Sequence, residues 1–185
     1  NFCTKLWNAA RFCEMNECQS IDGFDPSTVQ LTLNKWIVGK TVEAERAMSR
    51  AIDNYRFNDA ASSIYQFTWN IFCNWYVEFS KPMFIHEEET TRTETRDTAA
   101  WVLDQILLLM HPITPFITEE LWSKLSEHRK SPIIIARWPE LDSLPINPQA
   151  NEEMDWVVRL IAQIRAIRSE MNVPPAAKIP LILKD

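Results

Sequence analysis

The chain has 185 residues, of which 46% are apolar and 24% charged, the composition of an ordinary globular domain. Only two glycines are present, which excludes a turn-rich all-β fold and any glycine-rich phosphate loop. The formal net charge of −6 excludes a protein that holds nucleic acid by charge alone, so any RNA contact has to be local and to rest on stacking.

The first stretch, residues 2–17, has the periodicity of a helix with two different faces. One face is apolar, with spacings of four, three and four, and predicts a contact with a core: Phe2, Leu6, Ala9 and Cys13. The other face combines an aromatic ring with an amide and two cations: Lys5, Asn8, Arg11 and Phe12. On the residues alone this face is either a ligand-stacking surface, where Phe12 adds little to stability, or a ring packed under a loop such as 20–30.

Further helices are predicted over about 33–54, 59–80, 95–110, 115–126 and 152–171. The helix over 59–80 is apolar nearly all round and should end at Pro82, and one polar stripe runs along it: Gln66, Asn70, Asn74 and Glu78. A helix of this kind is typical of the centre of a bundle.

The predicted fold class is therefore mainly α, an up-down bundle of about five helices over residues 1–139. A proline-marked linker over 140–150 and a helix–strand extension over 151–185 follow, with the strand at 179–183. Because the sequence starts without Met inside a helical pattern and ends in an apparent strand, we expect a piece of a larger protein. We also expect a monomer.

No catalytic or metal-binding constellation is predicted. The cysteines at 3, 13, 18 and 73 form no Cys-x-x-Cys pair and lie far from the three histidines. His111 lacks a nucleophile or carboxylate motif beside it, which favours a structural role at a helix end. His86 and the glutamates at 87–89 are neighbours on a loop and do not converge on a metal. Reduced thiols and the lack of a signal peptide or membrane-spanning run predict a cytoplasmic protein.

Four runs resemble the segment that follows the catalytic core in class I aminoacyl-tRNA synthetases. They are KLWNAARF at 5–12, FCNWYVE at 72–78, HPITPFITEELW at 111–122 and ARWP at 136–139. The third is shared by valyl, leucyl and isoleucyl enzymes, whereas the first two look specifically like the valyl-tRNA synthetase family. IRAIRSEMNVPP at 164–175 looks like the start of the small module that approaches the tRNA stem in that family.

The resemblance implies a function for the helical bundle. Such an enzyme is a ligase of protein biosynthesis that attaches valine to its tRNA with ATP, and its bundle reads the anticodon, whose last two bases are A and C. The His-Ile-Gly-His and Lys-Met-Ser-Lys-Ser type motifs are absent from this chain. The fragment should therefore be inactive alone and hold no cofactor, with ATP bound in the catalytic part of the parent enzyme.

Carried over by position, the resemblance implies anticodon contacts at Lys5, Asn8, Arg11 and Phe12. Arg165 and Arg168, one helical turn apart, are candidates for the tRNA backbone, with solvated arginines as the open alternative. The expected partners are valine tRNA and the remainder of the same enzyme, with no membrane. Two alternative functions remain, the same domain of an isoleucyl or leucyl enzyme and a helical protein-interaction module without an RNA role.

Overall fold

The computed structural model describes residues 1–21, 23–125, 129, 131–174, 176–180 and 182. All regular structure in these ranges is helical. The main helical elements are α1 (Phe2–Met15), α2 (Thr32–Asp53), α3 (Phe57–Gln66), a π-helical segment (Phe67–Tyr76), α4 (Val77–Phe84), α5 (Glu89–Met110), α6 (Pro115–Lys124) and α7 (Pro148–Glu170). The predicted mainly α bundle is confirmed. None of the described helices is both long and apolar enough to cross a bilayer.

Helix α2 lies against three other helices, α3, α5 and α7. Its apolar side chains recur every three or four residues, and Trp36, Ile37 and Met48 are fully buried. Burial of one such side chain stabilises the fold by about 1.5–3 kcal/mol. Helix α2 is therefore held in place by core contacts with several helices.

The N-terminus of α2 is capped from a distant helix. The Glu94 carboxylate, on α5, accepts hydrogen bonds from the backbone N–H groups of Gln30 and Leu31 and from the Asn34 amide, each at 2.9 Å. The Asn34 side-chain oxygen in turn accepts the buried Tyr76 hydroxyl at 3.1 Å. A charged acceptor thus satisfies donors that a helix start leaves without partners.

We expect Glu94→Ala to lower the free energy of unfolding by about 1–2 kcal/mol, because α2 loses its charged cap. Urea unfolding measures the change. The control is Glu89→Ala, which removes an exposed ion pair with Arg92 and should lower the free energy of unfolding much less, because solvent screens this pair. Equal losses in both variants would contradict the capping role.

The third predicted helix is continuous but changes its hydrogen bonding. Between α3 and α4 the backbone keeps helical dihedrals, while residues 67–76 bond to the carbonyl five residues back. Pro82 does not end the helix as predicted, and α4 continues to Phe84. The proline lies in the last turn, where it removes only the bond to the Glu78 carbonyl.

Helix α5 starts six residues earlier than predicted, at Glu89. The first turns of α5 bury three threonines, Thr91, Thr95 and Thr98. The sequence there lacks the apolar periodicity that would predict a helix. The Thr95 hydroxyl donates to the Thr91 carbonyl at 2.9 Å, and the Thr98 hydroxyl donates to the Glu94 carbonyl at 2.7 Å. Because the hydroxyls are satisfied within the helix, this polar sequence can face the core.

Two polar contacts fix the turn after α5 and the segment after α6. His111 Nδ1 lies 2.8 Å from the Thr118 hydroxyl, which confirms the helix-end role predicted for this imidazole. Arg129 pairs with the buried Asp104 of α5, and its guanidinium lies 3.8 Å from the centre of the Trp122 ring. Burial raises the pKa of the Asp104 carboxyl, although Arg129 acts in the opposite direction.

Helix α7 begins at Pro148, inside the range predicted as a linker, where the Asn147 side chain accepts the Ala150 N–H at 2.9 Å. It is attached to α2 through Asp155, which accepts the Trp36 indole N–H at 3.2 Å and pairs with Lys40 at 3.4 Å. The strand predicted over 179–183 is not present at 179, 180 or 182, because the described chain offers no second strand to pair with them. Residues 181 and 183 lie outside the described residues.

Candidate nucleic-acid interface

Helix α1 presents the four predicted anticodon residues in two pairs. Leu6, Ala9, Ala10 and Cys13 are buried and fix the rotation of the helix. At about 100° per residue, Asn8 and Arg11 then point to solvent, whereas Lys5 and Phe12 turn toward the helix formed by residues 57–84. Asn8 and Arg11 are exposed, and Lys5 and Phe12 are half-buried.

Lys5 is held in place by the π-helical segment. Its ammonium group donates to the Asn74 side-chain oxygen and lies 4.0 Å from the centre of the Trp69 ring. A contact of this kind contributes about 0.5–1 kcal/mol at an exposed site. Since an ammonium has three donors, Lys5 keeps hydrogen-bonding capacity for a ligand.

Phe12 is less open than predicted. Its ring centre is 5.8 Å from that of Phe84, with the planes tilted by 56°, and it packs at the edge of the hydrophobic core. The Lys81 ammonium lies 5.9 Å from the Phe12 ring centre. Because part of the ring is buried against α4, only the remainder can stack on a base, and we expect Phe12 to contribute to stability as well.

The exposed pair, Asn8 and Arg11, differs from Lys5 and Phe12 in its contacts. Within the described part of the chain, neither Asn8 nor Arg11 has an intramolecular side-chain hydrogen bond or ion pair. Arg11 lines a shallow pocket of about 240 Å³ between α1 and α6, where Lys124 lies 4.8 Å from the Trp7 ring centre. The structure therefore brings Lys5, Asn8 and Phe12 together and directs Arg11 toward α6.

Five residues on neighbouring sides of α1 and of the helix formed by residues 57–84 make up the surface that we call the α1 groove: Lys5, Asn8, Phe12, Asn74 and Lys81. Sequence reasoning missed Asn74 and Lys81 as site residues. The polar stripe along the third helix was the available signal for Asn74, since one polar row on an otherwise apolar helix has to face solvent or a partner.

The groove carries little net positive charge. Lys81 pairs with Glu78 at 2.7 Å, and Lys5 contacts the neutral Asn74, so one cation of the groove has no carboxylate partner. Binding to phosphates gains affinity by releasing counterions, and a surface with one such cation gains little. The geometry therefore suits contacts to exposed bases better than contacts to a charged backbone.

The two arginines of α7 have different surroundings. The Arg165 guanidinium lies 5.0 Å from the Trp75 ring centre, and Trp75 stacks on Phe79 at 5.5 Å. Arg168 donates to the Pro174 carbonyl at 2.7 Å and to the Ala177 carbonyl at 3.0 Å. One arginine thus attaches α7 to the bundle, and the other folds the following segment onto α7.

The thiols behind α1 remain protonated at neutral pH. Burial raises the pKa of the Cys73 thiol to about 11, and the Lys5 charge acts in the opposite direction. A hydrogen bond with Cys18 and burial raise the pKa of Cys13. Because thiolates are the nucleophilic form, neither cysteine is set up for covalent chemistry. Among the described residues, no three His, Cys, Asp or Glu side chains are placed to hold a metal ion.

Comparisons with known proteins identify the family of the chain. Residues 34–183 match the protein family described as the anticodon-binding domain of tRNA ligase. The valine–tRNA ligase of Caulobacter vibrioides is 51% identical over 181 residues, which is 96% of this chain and 20% of that protein. The valine–tRNA ligase of Zymomonas mobilis is 45% identical over 184 residues, covering 98% of this chain and 21% of that protein.

The matched relatives also include the α1 segment, which precedes the matched family region. The valine–tRNA ligase of Granulibacter bethesdensis is 44% identical over 185 residues and covers 100% of this chain. The chain spans about a fifth of the length of these curated relatives. It belongs to the anticodon-binding domain family of tRNA ligases, as the resemblance of its four sequence runs predicted.

Proposed function

We propose that the chain is the anticodon-binding domain of a valine–tRNA ligase and that the α1 groove reads the anticodon loop of valine tRNA. The observation that carries this proposal is the Asn8 amide, which is exposed without an intramolecular partner between a fixed cation and an aromatic ring. The relatives at 45–51% identity, which are named valine–tRNA ligases, support the amino acid assignment.

The groove residues supply complementary contacts to splayed-out bases. An amide side chain can donate one hydrogen bond and accept another at the same time, the pair of contacts that adenine requires. The open part of the Phe12 ring can stack on a base, and the Lys5 ammonium can reach base edges or phosphates. Arg11, which is exposed on the α6 side of α1 and lies outside the groove, is a candidate for a phosphate contact. Asn74 orients the Lys5 ammonium, so this cation is positioned before the RNA arrives.

The remaining parts of the proposal concern the parent enzyme. It attaches valine to tRNA with ATP, and both reactants of the first step bind outside this chain. Residues 1–139 form the reading bundle, and 140–150 contain the linker and the first turn of α7. Residues 151–185 begin a module that approaches the tRNA stem, where Arg165 and Arg168 are the backbone candidates. We place the enzyme in the cytoplasm as a monomer.

An NMR titration with a valine anticodon stem-loop tests the reading surface. Chemical-shift changes should concentrate on residues 5–12 and 74–81. Asn8→Ala should weaken binding by about 1–3 kcal/mol, because one base loses a bidentate partner. Since alanine is the better helix former, the variant should be at least as stable as the parent chain. The matched control, Asn58→Ala at the exposed start of α3, should bind normally.

The same titration separates the alternatives. Changing the final A and C of the anticodon should abolish the shifts if the domain reads valine tRNA. Stronger binding to an isoleucine or leucine anticodon would assign the domain to those enzymes instead. Shifts absent from the α1 groove with every stem-loop would overturn RNA reading and favour a protein-interaction module.

A further inference from the structure

A large cleft lies apart from the α1 groove. It has a volume of about 1010 Å³ and is lined by the end of α2, the start of α3, the α5–α6 turn and residues 138–143. Its floor is apolar and includes Met48, Ile52, Phe57, Ile113 and Trp138. No residue of α1 lines it, so reading of an anticodon does not account for it.

Hydrogen bonds and an ion pair hold the walls of the cleft in place. The Trp138 indole N–H donates to the Ser49 hydroxyl at 2.9 Å, and the same hydroxyl donates to the Glu45 carboxylate at 2.6 Å. Arg46 holds the far wall through an ion pair with Asp142 at 2.8 Å. These contacts fix the Trp138 ring as one side of an open apolar cavity.

Four carboxylates line the cleft: Glu45, Asp53, Glu140 and Asp142. Glu45 is buried and Asp142 pairs with Arg46. The acidic rim therefore consists of Asp53 and Glu140, which are exposed and have no ion pair among the described residues. Such a rim repels a phosphate backbone, so the occupant is not RNA. An apolar floor with a carboxylate rim is complementary to a protein segment that carries an apolar side chain next to lysine or arginine.

The apolar surface continues beyond the cleft. Tyr55 lies beside the cleft residue Phe57, with 6.5 Å between the ring centres, and is 82% exposed. An exposed aromatic side chain beside an apolar cleft is typical of interaction sites. A tethered partner would bind there at high effective concentration. About four fifths of the length of the relatives lies outside this chain, and that polypeptide is the tethered partner available.

From the cleft, its acidic rim and this tether we infer that the cleft is the docking site for a basic, apolar segment of the parent enzyme outside this chain. The inference rests on the proposed function only for the identity of that enzyme. Docking there connects the reading bundle to the rest of the polypeptide on a surface that the tRNA does not use.

Alkylation of an introduced thiol tests the docking. Ser143 lines the cleft and is exposed, whereas Thr93 is exposed on α5 about 30 Å along the helix from the α5–α6 turn. Ser143→Cys and Thr93→Cys should react with iodoacetamide at similar rates in this chain, as followed by peptide mass spectrometry. In the full-length enzyme the Ser143→Cys variant should react about tenfold more slowly, because exposure controls thiol reactivity, and Thr93→Cys should be unchanged.

The chemistry of the occupant is tested by neutralising the rim. Asp53→Asn with Glu140→Gln should restore fast alkylation of the Ser143→Cys enzyme, because the basic segment loses its counter-charges. Equal alkylation rates in chain and enzyme would overturn the docking, and protection that survives the neutral rim would overturn its basic character. If protection of the introduced thiol increases with enzyme concentration, a second copy of the enzyme covers the cleft instead. None of these measurements uses RNA, so their failure is distinct from failure of the stem-loop titration.

Discussion

Arg129→Met should lower the free energy of unfolding by about 3–5 kcal/mol, because it leaves the Asp104 carboxylate buried without its cationic partner. Both side chains of this pair are nearly inaccessible, with 13% of Asp104 and 11% of Arg129 exposed. The ion pair also fixes Arg129 over the Trp122 ring, so the segment after α6 loses an attachment to α5. Urea unfolding at pH 7 measures the loss.

The pH dependence of this loss identifies its cause. Burial already raises the pKa of Asp104 in the folded protein, and removal of Arg129 raises it further. A raised carboxyl pKa means that the folded state binds the proton more tightly than the unfolded state. The deficit is therefore full above the raised pKa and shrinks as the pH falls toward about 4.

A double variant separates the charge from the packing. Asp104→Leu with Arg129→Met replaces the ion pair by apolar side chains, and such replacements are often neutral or stabilising. It should recover most of the stability lost by Arg129→Met. A pH-independent deficit that persists in the double variant would instead place the cost in the lost contact with Trp122.

Phe12→Ala should affect both stability and RNA binding. The half-buried ring packs on Phe84 at the edge of the core, so its removal should lower the free energy of unfolding by about 2 kcal/mol. Loss of the stacking surface should weaken stem-loop binding by about 1–3 kcal/mol. Thermal unfolding and the stem-loop titration measure the two effects on the same sample.

Two further variants separate these roles. Phe12→Leu keeps most of the apolar packing and removes the aromatic face, so stability should fall by less than about 1.5 kcal/mol while binding weakens as in Phe12→Ala. Phe84→Leu changes the buried partner and should leave binding intact. If the Phe12→Leu chain binds the stem-loop as tightly as the parent chain, Phe12 is a packing residue only.

The spacing of apolar residues predicted the helices correctly where the buried side chains are apolar. The inner face of α1 and the apolar third helix were identified because their apolar residues recur at helical spacing. The start of α5 was missed because threonine hydroxyls bond to carbonyls of their own helix, as at Thr95, and thus reach the core without an apolar signal. The early start of α7 was missed because three prolines in 139–150 indicated a linker.

The sequence predicted only part of the candidate site, because contacts between distant residues determine the rest. The four residues on α1 share a helix, and their spacing is visible in the sequence. Their environment depends on residues about 70 positions away, such as Asn74 beside Lys5. The partial burial of Phe12 and the cleft at Trp138 likewise arise from contacts between distant elements, which local patterns do not encode.

The π-helical segment has a consequence for the evolution of chain length. It connects the part of the third helix that packs near Phe2 to the part that packs near Phe12. A π-helical residue turns the chain by less than an α-helical residue does. Loss of one residue within 67–76 with a return to ordinary i→i−4 bonding would therefore leave Phe84 and Lys81 near their present side of the helix. The same loss with the i→i−5 bonding kept would turn both side chains away from α1. The length and the bonding pattern of this segment are thus coupled, because the wider helix fits its present number of residues between the contacts with Phe2 and Phe12.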